Sequence, residues 1–314
     1  MIDKTILITG ATGVIGSRLV KRLCELGAFV KILSRSPVNA DKIFKRQYTV
    51  QEFDWSKYDD PNKLRDLIEE SDAIINLAGA NVADKRWSVE YKKEIYNSRI
   101  EITKLLVKAI KICSKRPEFL INASGVGYYG FRGDEILTED SEPGEDFLAK
   151  LCRDWESEAM KAVQFNVRVV TIRTGIVLDN KGGALEEFLK PFKFYIGAYQ
   201  GTGRQWLSWI HIDDIIDLYL FAMSNSNMLG AVNGVSPESV TNKEFTEILG
   251  RVLNKNIILP VPGIILKLVV GEFANNLITG QKVSPQKIMN AGFKFKFPLL
   301  KEALENLLIQ ETNI

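Results

Sequence analysis

Cysteine is scarce in this chain: Cys24, Cys113 and Cys152 are the only three among 314 residues. No two of them have the C-x-x-C spacing that is typical of zinc and redox sites. A scattered, odd-numbered set excludes a disulfide framework and favours free thiols in a reducing compartment. Each cysteine falls in an apparent helix, where a buried thiol behaves as a small apolar side chain. We therefore predict no catalytic thiol.

Histidine is scarcer still, because His211 is the only one. A metal site needs converging His, Cys or carboxylate side chains, and the sequence has no such cluster, so we predict no metal site. His211 lies between Trp209 and the acidic pair Asp213-Asp214, where a helix begins. We favour a structural hydrogen-bonding role for His211, and acid-base catalysis stays the alternative.

A surplus of either charge is also missing, since the chain has 41 basic and 39 acidic residues and a net charge of +2. This balance gives no indication of a nucleic-acid or anionic-membrane partner. No apolar run is long enough to cross a bilayer, and the strand-like start of the chain argues against a signal peptide. We expect a cytoplasmic monomer or homodimer that binds a small molecule.

What the sequence does contain is a regular alternation of strand and helix patterns. Short apolar runs lie at residues 5–9, 29–33, 49–53, 73–77, 119–123 and 167–172. Helical spacing separates them, most clearly over 89–112 and 147–163. Repeated β-α-β units predict an α/β protein with a Rossmann fold, in which the parallel sheet is doubly wound.

The alternation of strand and helix patterns stops after Gly175, where glycines become frequent and prolines follow. Thr241 and Glu244 have the spacing of a capping box, which predicts a helix through Leu253. We predict an NADP-binding Rossmann domain at residues 1–175, with 206–230 returning to it. Residues 176–205 and 231–314 are predicted to form a smaller C-terminal α/β substrate lobe.

The first strand-to-helix turn carries a glycine pattern that is typical of dinucleotide sites. Glycine is needed there for unusual dihedral angles and close backbone approach, and the helix N-terminus attracts phosphate. The predicted cofactor-binding residues of this turn are Gly10, Thr12, Gly13, Val14, Ile15 and Gly16.

The end of the second strand indicates which dinucleotide binds. An NAD enzyme usually has an acid there for the ribose hydroxyls, but this chain has Ser34 and Arg35. An arginine can hold a 2′-phosphate, so we predict NADP(H). Asp54, after the third strand, is a candidate for the adenine edge. Leu77, Ala78 and Gly79 follow the fourth strand, at the sheet edge where such folds bind ligands.

Several segments resemble the extended short-chain dehydrogenase/reductases, and more narrowly an atypical epimerase-like family. That family is often labelled a nucleoside-diphosphate-sugar epimerase or a cell-division-inhibitor homologue. The segments are Lys85-Arg86-Trp87, Ser98-Arg99, Gly127-Tyr128-Tyr129-Gly130, Trp155-Glu156, Arg173-Thr174-Gly175, Gly203-Arg204-Gln205-Trp206 and Trp209-Ile210-His211-Ile212-Asp213-Asp214. The tail around Gly280 to Pro285 is similar to the small C-terminal domain of that family. The resemblance implies NADP contacts from Ser34, Arg35, Leu77, Ala78, Glu94 and Arg99.

The chain departs from these dehydrogenases in lacking the Tyr-x-x-x-Lys pair, in which the lysine lowers the pKa of the tyrosine. Aligning on Trp155-Glu156 puts Leu148 and Cys152 at the two positions. Ser124 matches the active-site serine of the family. The predicted catalytic residues are therefore Ser124 with Tyr128 or Tyr129 as the proton-exchanging phenol.

A substrate wall is predicted in the second lobe, facing the cofactor across the crevice. Arg204 and Gln205 would orient polar groups, and Trp206 and Trp209 would supply apolar surface, unless the tryptophans only join the lobes. Arg86 and Trp87 would face them from the main domain.

Three functions remain open at this point. The first is an NADP(H)-dependent oxidoreductase acting on a small carbonyl or hydroxyl compound. The second is a nucleotide-sugar epimerase or dehydratase. The third is a non-catalytic protein that senses NADP(H) or uses it as an interaction switch. The fold alone does not decide among them.

Overall fold

The computed structural model describes residues 3–35, 43–44, 50–57, 59–255 and 258–309. The strands in chain order are β1 (Thr5–Thr9), β2 (Phe29–Ser34), β3 (Val50–Asp54), β4 (Ala73–Asn76), β5 (Phe119–Gly125), β6 (Ile136–Leu137), β7 (Arg168–Thr174), β8 (Ile176–Asp179), β9 (Gly182–Gly183), β10 (Gly197–Gln200), β11 (Trp206–Leu207), β12 (Trp209–His211), β13 (Gly230–Gly234), β14 (Val240–Thr241), β15 (Ile258–Val261) and β16 (Lys282–Val283).

The helices alternate with these strands in the first half and dominate the tail. They are α1 (Val14–Glu25), α2 (Pro61–Glu69), α3 (Val89–Ile112), α4 (Phe147–Met160), α5 (Ala184–Phe192), α6 (Ile212–Ser224), α7 (Asn242–Val252), α8 (Gly263–Val270), α9 (Ala274–Ile278), α10 (Gln286–Asn290) and α11 (Leu300–Ile309). No helix in the described ranges is both long enough and apolar enough to span a membrane.

Among the described residues, seven parallel strands form the central sheet in the order β13-β7-β5-β4-β1-β2-β3. The chain winds outward from β1 in one direction and then from β4 in the other. The order therefore reverses between β1 and β4, where Thr9 lies beside Asn76. In open α/β sheets this reversal opens a crevice at the carboxyl ends of the strands, and ligands bind there. The predicted Rossmann fold is confirmed.

Apolar side chains fill both faces of the sheet, as expected for parallel strands that are buried on both sides. On one face, Leu19 and Leu23 of α1 pack with Ile215 and Leu218 of α6. The other face is covered by α2 and α3, with Leu64 and Leu106 among the buried side chains. The sheet is thus a rigid platform, and its carboxyl edge positions the functional side chains.

Local signals in the sequence identified several of these elements correctly. The predicted helix over 89–112 is α3, and the capping box of Thr241 and Glu244 opens α7 as predicted. The predicted third strand is β3, although Thr49 lies outside the described residues. The predicted helix over 147–163 ends as α4 at Met160, and a 3-10 turn over Lys161–Phe165 continues it.

One strand of the sheet was not predicted, namely β13 at its edge. Residues 231–314 were predicted to lie in the smaller lobe, yet β13 pairs with β7 along its whole length. Its sequence, Gly-Ala-Val-Asn-Gly, has a single β-branched residue and a glycine at each end, so it carries almost no strand signal.

Four smaller sheets lie outside the central sheet in the described part of the chain. They comprise the pair β10-β15, the pair β11-β14, the three-stranded group β12-β8-β9, and the pair β16-β6. The last pair joins the tail to a loop of the main domain, and α11 packs into the same core cluster as α6. The two parts of the chain therefore share a continuous core.

Candidate functional site

The turn between β1 and α1 has no space for a side chain at two of its glycines. Gly10 has a φ of +70°, and a Cβ atom there would lie 2.5 Å from the carbonyl carbon of Leu77. A Cβ atom on Gly16 would collide with the carbonyl oxygen of Gly10. The turn therefore holds β1, α1 and the end of β4 in close backbone contact, as a dinucleotide turn requires.

The N-terminus of α1 opens onto this turn without a side-chain cap. Gly13 is the N-cap residue and supplies no side-chain hydrogen bond. The N–H groups of the first helical turn, which begins with Val14 and Ile15, have no partner within the helix. Thr12 and Val14 are exposed beside them. This end of α1 can accept a phosphate group.

The ends of β2 and β3 lie side by side next to the turn. Ser34 ends β2 opposite Asp54 of β3, and Arg35 follows with an exposed side chain. The Asp54 carboxylate accepts hydrogen bonds from the backbone and hydroxyl of Ser56, at 3.0 and 2.9 Å. These bonds lower the pKa of Asp54. Arg35 is thus free to reach a phosphate, while the adjacent acid is occupied locally.

The loop after β4 carries Leu77, Ala78 and Gly79, and an arginine on α3 holds it in place. The Arg99 guanidinium donates to the carbonyl oxygens of Ala80 and Ile95, both at 3.0 Å. A Cβ atom on Gly79 would lie 2.7 Å from the guanidinium carbon of Arg99. The absence of a side chain at Gly79 therefore allows Arg99 to lie against the backbone at the sheet edge.

Glu94 and Arg99 lie on the same helix but in different surroundings. Arg99 is largely buried and stacks on Trp155, with its guanidinium carbon 5.2 Å from the ring centroid. Burial lowers the pKa of Arg99. Glu94 is exposed, and its carboxylate lies 3.8 Å from the Lys85 ammonium. Both keep a position near the carboxyl edge, but only Arg99 is held by packing.

Ser124 is the penultimate residue of β5 and takes part in a buried charged network. Its hydroxyl donates to Glu156 of α4 at 2.6 Å. Glu156 also accepts two hydrogen bonds from Arg173, the neighbour of Ser124 on β7, each at 2.9 Å. Burial disfavours the charged form of Arg173, but the bonds and charge of Glu156 outweigh it and raise the pKa. A bidentate pair of this kind fixes the orientation of both groups.

The two candidate tyrosines have different environments. Tyr129 is fully buried, donates to Asn233 at 2.6 Å and accepts from Arg173 at 3.0 Å. Burial raises the pKa of Tyr129 to about 12. Tyr128 is only half-buried, and its ring lies 3.4 Å from the guanidinium carbon of Arg173. Contrary to the expectation that either phenol could serve, Tyr129 has its hydroxyl engaged in the core.

The positions that aligned with the usual tyrosine and lysine are apolar here. Leu148 packs toward Gly127, where an added Cβ atom would lie 3.2 Å from the Leu148 Cβ. Cys152 is buried, and burial raises the pKa of its thiol to about 11. A neutral thiol in this position supplies neither a cation nor a nucleophile.

Arg86 and Trp87 contact helices that lie far along the chain. Arg86 donates to the carbonyl oxygen of Leu268 in α8 at 3.0 Å. The Trp87 ring packs at 5.4 Å from Phe273 and at 5.1 Å from Phe147. These two residues therefore connect the loop after β4 to the helices of the tail.

The four predicted wall residues of the second lobe separate into two groups. Arg204 is exposed, and Trp206 is half-buried with its indole N–H donating to Asp134 at 2.7 Å. Gln205 is buried and donates to two backbone carbonyl groups, and Trp209 is fully buried in the core. Contrary to the predicted wall of four, Gln205 and Trp209 are buried, because Gln205 bonds the backbone of Gln200 and Leu277 and Trp209 packs in the main core cluster.

His211 has the structural role that was favoured for it. It is the N-cap of α6, where its Nδ1 atom accepts from the Asp213 backbone at 3.0 Å. Its Nε2 atom lies 3.2 Å from the side-chain oxygen of Asn306. In the part of the chain that the structure describes, no three His, Cys or acidic side chains converge as a metal site would require.

This geometry can be compared with known proteins. The model of the family described as NAD dependent epimerase/dehydratase matches residues 6–233. The chain belongs to that family. A second model, described as a domain of unknown function, matches residues 261–307, where the tail resembled a small C-terminal domain. The resemblance stated from the sequence motifs is confirmed.

Relatives of this epimerase-family chain span nearly its whole length. A chloroplastic SDR39U1 homologue of Arabidopsis thaliana is 39% identical, over 97% of this chain and 86% of its own. An epimerase family protein of Mycobacterium bovis is 38% identical, over 97% of both chains. The crystal structure of human SDR39U1 isoform 2 with NADPH is 32% identical, has a TM-score of 0.85, and covers 99% of this chain and 100% of that one.

More distant structures share the fold only. A UDP-glucuronic acid 4-epimerase from Bacillus cereus, solved with its substrate and NAD, has a TM-score of 0.79 at 17% identity, over 98% of this chain and 99% of that one. This similarity supports the Rossmann fold of the chain and does not assign it a reaction.

Sequence reasoning assigned no role to Glu156 or Arg173, although both lie in segments that carried the family resemblance. A signal was present, because Arg173 follows the apolar residues Val170 and Ile172 in a strand of a sheet buried on both faces. A charge in that position requires a buried partner of opposite sign. The partner lies 17 residues away on α4, and only the packing of α4 on the sheet shows which acid it is.

Proposed function

We propose that this protein binds NADP(H) and works as an oxidoreductase on a small carbonyl or hydroxyl compound. The observation that carries the proposal is the carboxyl edge itself. The glycine turn, the uncapped α1 and the exposed Arg35 would hold a dinucleotide with a 2′-phosphate, next to Ser124 and Tyr128. The human relative crystallised with NADPH supports the same cofactor.

The residues present fit the cofactor in shape and charge. Backbone N–H groups at the start of α1 would hold the pyrophosphate, and Arg35 would hold the 2′-phosphate by paired hydrogen bonds. Asp54 lies beside Ser34, where an adenine edge would pass. When bound, the cofactor supplies or accepts a hydride. Tyr128 would exchange a proton with the substrate oxygen, and the Ser124 oxygen, whose own proton is donated to Glu156, would accept a hydrogen bond from a substrate hydroxyl.

The proposal also divides cofactor binding and substrate binding between two parts of the chain. Residues 1–175 with 206–230, together with β13, would bind the cofactor. Residues 176–205 and the rest of the tail would bind the substrate. Arg204 and Trp206 would form the outer wall of the substrate site, with Arg86 and Trp87 opposite, and Arg204 would suit an anionic substrate group. We keep the cytoplasm as the expected location.

Calorimetric titration with NADPH and NADH tests the cofactor assignment. A charge-assisted bidentate contact from Arg35 contributes about 1.5–3 kcal/mol, so NADPH should bind at least roughly tenfold more tightly than NADH. Arg35→Ala should abolish this preference and leave NADH binding unchanged. Arg22→Ala, at the exposed far end of α1, is the matched control and should retain the preference. Equal affinities of the wild-type protein for the two cofactors would refute the assignment.

A nucleotide-sugar epimerase or dehydratase is the second candidate, and membership of the family favours it. An epimerase must remove and return hydrogen at one carbon, and Leu148 and Cys152 supply no acid-base couple for this. Incubation with NADP⁺ and a panel of UDP-sugars separates the two, because an epimerase gives a new sugar isomer without net reduction of the cofactor.

A further inference from the structure

The buried pair of Glu156 and Arg173 has no place yet in the chemistry of the site. Both side chains are nearly inaccessible, with exposed fractions of 10% and 4%. Burying two charges costs several kcal/mol per ion before their attraction is counted, and apolar residues of similar volume often stabilise a core better. The pair stands at the carboxyl edge of β5 and β7, next to both residues proposed for catalysis. Its position points to a role in that chemistry.

Arg173 is the group that contacts both candidate tyrosines, and it does so in two ways. Its Nη1 atom donates to the Tyr129 hydroxyl, and this bond locks Tyr129 into the core. Its guanidinium plane lies against the Tyr128 ring, with 3.4 Å between the guanidinium carbon and the ring centroid. Glu156 holds Arg173 through the Nε and Nη2 atoms. These two bonds therefore fix the position of the guanidinium beside the Tyr128 ring.

We propose that Arg173, held by Glu156, supplies Tyr128 with the fixed positive charge that the lysine of a Tyr-x-x-x-Lys pair would supply. Arg173 is a positioning residue in this scheme, and Tyr128 is the group that exchanges the proton. The inference rests on the proposed oxidoreductase function. In this scheme the tyrosine and the cation come from two separate elements, a 3-10 turn after β5 and the strand β7. In the Tyr-x-x-x-Lys pair, both residues lie on one helix.

The chemistry needs a cation that stays charged in a buried site. A lysine can lose its proton when buried, whereas an arginine stays protonated. A cation over the face of a phenol stabilises the phenolate by charge and the ring by its quadrupole. In carbonyl reduction, the substrate carbon gains a hydride and its oxygen gains the Tyr128 proton. The phenolate that remains lies against Arg173, and oxidation of a hydroxyl reverses each transfer.

Other charges face Tyr128 as well and act against Arg173. Glu156 on α4 and Glu142 in the loop before α4 both disfavour the phenolate, and burial raises the pKa of Tyr128. Arg173 is the cation that opposes these influences. Removing its charge should therefore move the titration of Tyr128 further upward.

The test is the titration of the Tyr128 phenol in the full-length protein. Replacing tyrosine by 3-fluorotyrosine makes the phenols more acidic, and ¹⁹F NMR then follows each one, with the Tyr128 signal assigned from Tyr128→Phe. The key variant is Glu156→Gln with Arg173→Met, which removes both charges at similar volume, so that no lone buried charge unfolds the chain. Circular dichroism at each pH confirms that the fold persists.

We expect the Tyr128 midpoint of the double variant to rise by about half a pH unit, because the loss of Arg173 outweighs the loss of the opposing Glu156 charge, and Arg173→Lys to shift it less. Tyr96, which donates to Asp154, is the internal control and should keep its midpoint. An unchanged or lower Tyr128 midpoint in the folded double variant would overturn the inference, since a purely structural pair would alter stability only. NADPH titration of the wild-type protein is a separate readout, and its failure would count against the proposed function alone.

Discussion

At the residue scale, Gly79 shows how the absence of a side chain positions a functional one. Its Cα hydrogen faces the Arg99 guanidinium, which would lie 2.7 Å from an added Cβ atom. Arg99 in turn holds the loop after β4 through Ala80. The glycine is thus required by a contact across the sheet edge, whereas Gly10 is required by its own dihedral angles as well.

Gly79→Ala should displace Arg99 and destabilise the protein. Overpacking of this kind costs about 1–3 kcal/mol, and chemical denaturation measures the loss. Gly263→Ala is the matched control, because a Cβ atom there meets only ordinary contacts at 3.7 Å. In a double-mutant cycle, Arg99→Ala should remove most of the added cost of Gly79→Ala. Strictly additive effects would show that the two residues are not coupled.

The role of a single residue could be predicted from the sequence only where the local backbone conformation sets that role. Gly10 and Gly16 were predicted because a dinucleotide turn constrains the chain locally. Tyr128 and Tyr129 are neighbours in the sequence, and the sequence pattern made both phenols equal candidates for proton exchange. They differ because Tyr129 is fully buried with its hydroxyl bonded to Asn233, whereas Tyr128 is only half-buried, and sequence spacing does not reveal that difference.

At the element scale, α6 begins at a residue that titrates. His211 caps the helix with its unprotonated Nδ1 atom and is stacked on Phe297 at 4.0 Å between centroids. Burial lowers the pKa of His211 below its ordinary value of 6.5. The unfolded chain therefore takes up this proton first as the pH falls, and the start of α6 depends on a neutral imidazole.

The stability of the protein should consequently decrease as the pH drops through about 6.5. The unfolded state binds more protons there, and one such group changes the free energy of unfolding by at most about 1.4 kcal/mol per pH unit. His211→Asn keeps a side-chain acceptor at the N-cap but does not titrate, so this part of the slope between pH 7 and 5 should disappear. Denaturant titrations at several pH values measure both slopes, and identical slopes would contradict the prediction.

Strands and helices with strong periodicity or caps could be predicted at this scale, and β13 could not. Its five residues become a strand because β7 offers an unpaired edge at that point. Pairing with a neighbour that is distant in the sequence outweighs a weak local preference. The same reason applies to the short pairs β11-β14 and β16-β6, whose partners are distant in the sequence.

At the scale of the whole molecule, one buried carboxylate ties the sheet to the tail. Asp214 of α6 is fully buried and accepts from the backbone N–H groups of Lys296 and Phe297, at 2.7 and 3.0 Å. Burial raises the pKa of Asp214. The link fixes the segment before α11, so the tail packs in one position against the Rossmann part.

Asp214→Ala should leave two buried N–H groups without an acceptor and lower the free energy of unfolding by about 2–3 kcal/mol. Asp213→Ala, at the exposed neighbouring position, is the control and should cost well under half of that. Asp214→Asn keeps one acceptor oxygen and should fall between the two. A loss in Asp214→Ala no larger than that of its neighbour would show that the tail is held by apolar packing alone.

The sequence by itself determined the Rossmann architecture, the glycine turn and the identity of the residues along the carboxyl edge. Each of these follows from local rules: hydrophobic period, helix caps, the dihedral freedom of glycine, and the order of strands and helices. The tertiary structure alone decided that Glu156 pairs with Arg173, that Tyr129 and Trp209 are core residues, and that Arg204 and Trp206 remain accessible. Those outcomes depend on contacts between elements that are far apart in the chain. Which side chains are buried, and which charges pair, is decided only when these elements pack together.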